Sequence, residues 1–102
     1  MTEDNRKSIA KRAIGLVDLT DLNDNCDEAA ITALCQRAQT AHGPVGAICI
    51  WPRFITHART CLTDTGIPIA TVVNFPTGDE LVEDTVKLTR QAILDGAHEI
   101  DL

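Results

Sequence analysis

The chain has 102 residues, about one small domain, and its 44% apolar and 24% charged content is ordinary for a globular protein. Fifteen acids against nine bases give a formal charge of −6, with no Lys/Arg run and only three aromatics, which argues against nucleic acid or an anionic membrane as partner. Met1 to Arg12 is too charged for a signal peptide and no apolar run approaches the roughly 18 residues of a membrane span, so a cytoplasmic location and small-molecule partners are expected.

The first element is a polar segment from Thr2 to Ile14. Ile9, Ala10, Ala13 and Ile14 recur in it at helical spacing, which predicts an amphipathic helix ended by Gly15. Leu16 to Thr20 reads as a strand with Asp18 in its middle, and an interior carboxylate there needs partners to offset its desolvation. Asp18 is therefore expected to be paired or functional. After a polar loop, Asn25 or Asp27 can cap the next helix, and Asn25 with Glu28 has capping-box spacing. Ala30, Ile31, Leu34, Cys35 and Ala38 form its apolar face, and His42, Gly43 and Pro44 close it.

Gly46 to Phe54 (GAICIWPRF) is the most distinctive stretch. Ala47 to Ile50 is apolar without alternation, as in a parallel strand covered on both faces, and Pro52 suits the first position of a following helix. Cys49 sits near the C-terminal end of that strand, where α/β folds place their ligands. Phe54, Ile55, Ala58, Cys61 and Leu62 make the next helical face, which Gly66 ends. Ile69 to Asn74 is rich in β-branched residues and runs into the turn cluster Asn74 to Gly78. Leu81, Val82, Thr85, Leu88, Thr89, Ala92 and Ile93 then hold helical phase, Glu83 and Lys87 form an i,i+4 pair, and Gly96 is the expected C′ residue. Glu99 to Leu102 begins a fourth strand, with Glu99 and Asp101 assigned to opposite faces.

Cysteines at 26, 35, 49 and 61 show no C-x-x-C and no histidine at zinc-finger spacing, so free buried thiols are expected and no metal or redox pair is suggested. His42, His57 and His98 are scattered over a loop, a helix and a strand approach, with no triad among them.

Strands starting roughly 25 to 30 residues apart, with helices between them, are βαβ units. A doubly wound sheet would be complete at this length, whereas a (β/α)8 barrel needs about 250 residues. The barrel is favoured because no glycine-rich phosphate fingerprint follows any strand, and a chain ending within a strand reads as cut off. The expected fold class is thus α/β, the N-terminal half of a TIM (β/α)8 barrel with about four parallel strands, intervening helices and an extra N-terminal helix. Residues 1–102 then form one partial domain.

Four motifs carry a family resemblance. Val17 to Asn23 (VDLTDLN), Ala47 to Phe54 (AICIWPRF), Ala70 to Gly78 (ATVVNFPTG) and Gly96 to Leu102 (GAHEIDL) resemble, in order and spacing, the first four strand motifs of deoxyribose-phosphate aldolase. The resemblance covers essentially the whole chain but only the N-terminal part of that enzyme. It implies a class I aldolase, without metal or other cofactor, that reversibly cleaves 2-deoxy-D-ribose 5-phosphate to acetaldehyde and D-glyceraldehyde 3-phosphate through a lysine Schiff base. It also implies a sugar phosphate and aldehydes as partners, while the two exposed strand edges of a four-strand half barrel lead to the expectation of a homo-oligomer.

By the same resemblance Asp101 is a proton donor and acceptor at the substrate, and Asp18 matches a polar residue at the mouth of the first strand, either a partner that orients a buried lysine from behind the site or a direct proton carrier. Thr20, Leu22, Cys49 and Phe75 line the substrate pocket. The Schiff-base lysine, the lysine that tunes it and the phosphate-binding amides match later strands, so the 102 residues alone are expected to be inactive. Two further readings are a complete small α/β binding protein and a half-barrel interaction module, both without catalysis.

Overall fold

Backbone hydrogen bonding at the end of the first helix decides where the first strand begins. In the computed structural model, which describes residues 2–102, helix α1 (Glu3–Ile14) is capped by the Thr2 hydroxyl, which accepts from the Asn5 N–H at 3.1 Å. The N–H groups of Leu16 and Val17 turn back to the carbonyls of Ala13 and Ile14 and so cannot enter a ladder. The expected strand therefore runs later, as β1 (Asp18–Asp21), leaving Leu16 85% exposed. No side chain of α1 is fully buried and Ile9 is 52% exposed; of the stripe expected to face a core, only Ile14 packs against it.

Helix α2 (Glu28–Arg37) starts at Asp27, whose carboxylate accepts from the Ala30 N–H at 2.8 Å. With Asp27 as the cap, Glu28 is the first helical residue and cannot reach back, so the Asn25–Glu28 capping box does not form. The helix does not run on to His42. A small antiparallel hairpin follows it, β2 (Gln39–Thr40) with β3 (Gly43–Pro44), turning through Gly43 at φ +110°.

Strand β4 (Ala47–Ile50) is buried throughout, as its unbroken apolar run requires. A 3-10 turn over Pro52–Phe54 leads into helix α3 (Ile55–Cys61), which stops well before Gly66. The cause is local. Thr63 and Thr65 hydroxyls donate to the carbonyls of Thr60 (2.9 Å) and Leu62 (2.7 Å), and this side-chain bonding competes with helix continuation. Strand β5 (Ile69–Val72) ends where Asn74 takes a positive φ of 54°. Helix α4 (Val82–Asp95) ends at Gly96 in the left-handed region, as its position in the sequence predicts, and strand β6 (Glu99–Asp101) follows. Glu83 and Lys87 make no ion pair; the helix-surface i,i+4 pair among the described residues is Lys7 with Glu3 at 3.3 Å.

The four main strands form one parallel sheet in the order β1-β4-β5-β6. Its register pairs Leu19 with Ile48 and Ile48 with Ile69, a row that packs with Ile31, Leu34, Ile55, Ala58 and Ala92 of the helices. The alternate row, Thr20, Cys49, Ala70 and Glu99, lies on the opposite, helix-free face. Two positions along a strand make one full pleat period, so Asp101 shares this face with Glu99 and the assignment to opposite faces is overturned. No helix among the described residues is long and apolar enough to cross a membrane.

Candidate functional site

Parallel pairing brings three of the four acids of the sheet strands, Asp18, Glu99 and Asp101, around one thiol. On the helix-free face Thr20 is level with Cys49 and Cys49 with Ala70, while Val72 is level with Asp101 one strand over. The Cys49 thiol donates to Asp101 Oδ2 at 3.9 Å, a long contact for a weak donor. Burial, then the charges of Asp101 and Asp18, with Glu99 a smaller contributor, push the Cys49 thiol up to about 11. Cys49 is only 5% exposed, whereas Asp18, Thr20, Glu99 and Asp101 lie open to solvent around it.

The exposure of Asp18 changes the argument made for it from sequence. It stands on a sheet edge and is solvated, so it suffers no interior desolvation that would demand a partner. Its chemistry here is that of a negative charge directed at the same face as Asp101. Thr20 is engaged locally, its hydroxyl donating to the Asp18 carbonyl at 3.4 Å.

The C-terminal ends of the strands form a second, aromatic part of the site. Leu22 and Trp51 pack against Cys49 and Val72. The Trp51 indole N–H donates to the Asn23 carbonyl at 3.0 Å, tying the loop after β1 to the end of β4. Its ring meets Phe75 edge-on, with centroids 5.6 Å apart at 60°. The Arg53 guanidinium lies 5.7 Å from the Trp51 ring and 4.7 Å from that of Phe54. Phe75 remains 44% exposed over a shallow groove of about 170 Å³ shared with Trp51, Asn74 and Glu80. The Asp21 carboxylate is held below its ordinary range by the Asn23 backbone N–H, which fixes the turn that presents Leu22.

Of the six candidates, the fold brings Asp18, Thr20, Cys49 and Asp101 onto one face, with Leu22 at its rim and Phe75 beyond Trp51. Trp51 and Glu99 belong to this constellation and were not singled out from sequence. Trp51 was legible as the lone large aromatic at a strand end. Glu99 was concealed by the wrong pleat assignment. All three lysines of the chain, Lys7, Lys11 and Lys87, are exposed on α1 and α4 and none stands on a strand.

No family model matches the chain. A deoxyribose-phosphate aldolase of Agrobacterium fabrum is 50% identical over 97 residues, which are 94% of this chain and 38% of that protein. The tetrameric deoxyribose phosphate aldolase of Aeropyrum pernix shares the fold at a TM-score of 0.80 and 20% identity, over 89% of this chain and 38% of that one. A Toxoplasma gondii protein assigned as a deoxyribose-phosphate aldolase gives 0.82 and 23%, over 96% and 38%. The chain thus spans well under half the length of these relatives. The resemblance read from the four strand motifs is borne out, and the four parallel strands with their helices match part of the barrel of these aldolases.

Proposed function

We propose that residues 1–102 are an incomplete barrel domain that contributes the first four strands of a deoxyribose-phosphate aldolase. The half-identical match to the Agrobacterium fabrum enzyme carries this reading. The reaction is the reversible cleavage of 2-deoxy-D-ribose 5-phosphate to acetaldehyde and D-glyceraldehyde 3-phosphate. Its electron sink is a protonated imine on a lysine, a group that polarises the carbon–carbon bond far more than a neutral carbonyl does. That lysine comes from a segment outside these residues, because Lys7, Lys11 and Lys87 are solvated on helix surfaces.

In this proposal Asp101 moves a proton between the substrate hydroxyl and carbon, and its solvated carboxylate beside Cys49 suits that exchange. Asp18 orients a cationic partner from across the completed barrel. Thr20, Leu22, Cys49 and Phe75 border the substrate, with Cys49 a neutral thiol rather than a nucleophile. The enzyme needs no metal or other cofactor, works in the cytoplasm and assembles as a homo-oligomer, a state that the tetrameric Aeropyrum pernix relative supports.

The test joins these residues to the remainder of the Agrobacterium fabrum enzyme. The chimera cleaves deoxyribose 5-phosphate, and Asp101→Asn lowers its kcat by about 10²-fold or more, the range for loss of a positioned acid–base group. A rate within a few fold of the parent chimera would remove Asp101 from the mechanism. The 102 residues alone, treated with substrate and borohydride, leave all three lysines unlabelled. Stoichiometric, substrate-protectable labelling of Lys7, Lys11 or Lys87 with turnover would overturn the reading.

A further inference from the structure

On the other side of the sheet, between α2 and α3, lies a cluster that the aldolase chemistry does not use. His57 Nε2 is 2.8 Å from Thr32 Oγ1 and 3.7 Å from Cys61 Sγ, and Thr32 Oγ1 is itself 3.9 Å from that sulfur. On the far side of the imidazole, Nδ1 faces Glu28 Oε2 at 3.8 Å. One turn along α2 from Thr32, Cys35 belongs to the buried core cluster against which Cys61 packs, and both cysteines are free. Cys61 and His57 are partly exposed, so a small solute reaches them, while Cys35 is 1% exposed behind them. No three His, Cys, Asp or Glu side chains among the described residues converge as metal ligands.

We propose that Cys61 and Cys35 are a peroxide-responsive thiol pair: His57 takes the Cys61 proton, hydrogen peroxide oxidises Cys61, and Cys35 closes a disulfide that ties α2 to α3. The arrangement is nucleophile, base and orienting carboxylate in order. The Thr32 hydroxyl donates to the Glu28 backbone carbonyl at 3.1 Å, so in the Nδ1–H tautomer, which the Glu28 carboxylate favours, Nε2 accepts from Cys61 directly.

In the first step the Cys61 thiolate attacks one peroxide oxygen, the O–O bond breaks, and the departing hydroxide takes the proton from His57 to leave as water. The product is a sulfenic acid. In the second step the Cys35 sulfur attacks the Cys61 sulfur, the S–O bond breaks, and the Cys35 proton leaves with hydroxide as a second water. The two thiols lose two electrons in all and peroxide gains them. Burial pushes Cys35 up to about 11, with the neighbouring Cys61 thiol adding to the shift. Cys35 is therefore poor at attacking peroxide first, and in the second step it must lose its proton to the departing hydroxide as its sulfur attacks.

The experiment treats the 102-residue chain with hydrogen peroxide and maps its peptides by mass. With Cys26→Ser removing the only other cysteine on the Cys35 tryptic peptide, the expected product is a Cys35–Cys61 link within one chain, two hydrogens lighter than the reduced protein. In Cys35→Ser, oxidation stops at Cys61 and dimedone captures the sulfenic acid. His57→Gln slows Cys61 oxidation by about tenfold while leaving the rate at Cys26 unchanged, which a merely structural role would not do. Links between chains, or Cys61 reacting no faster than Cys26 in the wild-type protein, would overturn the proposal. The wild-type comparison needs no substituted protein to fold.

Discussion

At neutral pH Cys49 donates a hydrogen bond instead of attacking, because three carboxylates share its face and its own surroundings are dry. A pKa raised from 9.0 to about 11 in the folded protein has a definite consequence for stability. The unfolded thiol ionises near pH 9 and the folded one only near pH 11, so the stabilisation is complete below pH 9 and is lost as pH rises towards 11. Cys35 behaves in the same way. Each thiol contributes on the order of 2 kcal/mol across that window, and the chain contains no tyrosine to titrate there. Urea unfolding should therefore show a midpoint that falls between pH 9 and pH 11. Cys49→Ala should remove a large part of that pH dependence, Cys35 and the burial-raised Cys26 keeping the rest, and an unchanged slope in the variant would contradict the burial argument. The opposite lesson comes from Asp18, where sequence suggested a desolvated carboxylate. Local composition cannot reveal that its strand is an edge of the sheet.

Elements were legible where side-chain pattern alone decides them and illegible where backbone bonding intervenes. Ala47 to Ile50 and the Gly96 terminus follow from hydropathy and a left-handed φ, and Asp27 was one of two candidate caps, with the capping box assigned to the other, Asn25. The late start of β1 and the early end of α3 do not, because N–H groups of Leu16 and Val17 and hydroxyls of Thr63 and Thr65 choose partners that no period predicts. Gly46 illustrates a third kind of constraint. Its N–H donates to the Val17 carbonyl at 2.9 Å, and a Cβ there would stand 2.7 Å from the Gly15 carbonyl oxygen and 3.2 Å from the Leu16 carbonyl carbon. Both obstacles are backbone, so neither can rotate away. Gly46→Ala is expected to destabilise the chain by about 1–3 kcal/mol, the cost of forcing excess volume into a packed site. Thermal unfolding reads this directly, and a Tm equal to that of wild type would show that the α1–β1 connection yields freely.

At the scale of the whole molecule, the described residues leave large apolar side chains exposed and two strand edges unpaired. Strands β1 and β6 are sheet edges among the described residues, and edges without partners are templates for association. Sequence grouped the apolar residues of α4 as one face, yet only Ala92 is buried. Val82, Val86 and Ile93 are 78%, 41% and 57% exposed, and a 3.6-residue period aligns them in a second stripe pointing away from the core. Periodicity finds both stripes and cannot say which one the chain itself covers. The helix-free face is a poorer contact between copies, since pairing it with itself would bring the Asp18, Glu99 and Asp101 carboxylates of two chains together. Association should therefore run through α4 and the sheet edges. Sedimentation velocity is expected to show a homodimer or larger species whose population grows with protein concentration. Burying even part of the Val82–Val86–Ile93 stripe is worth roughly 1.5–3 kcal/mol per side chain at most, so Val86→Glu combined with Ile93→Glu should weaken association by at least about tenfold. A monomer at every concentration, unfolding in one cooperative transition, would instead favour a chain that satisfies its own sheet.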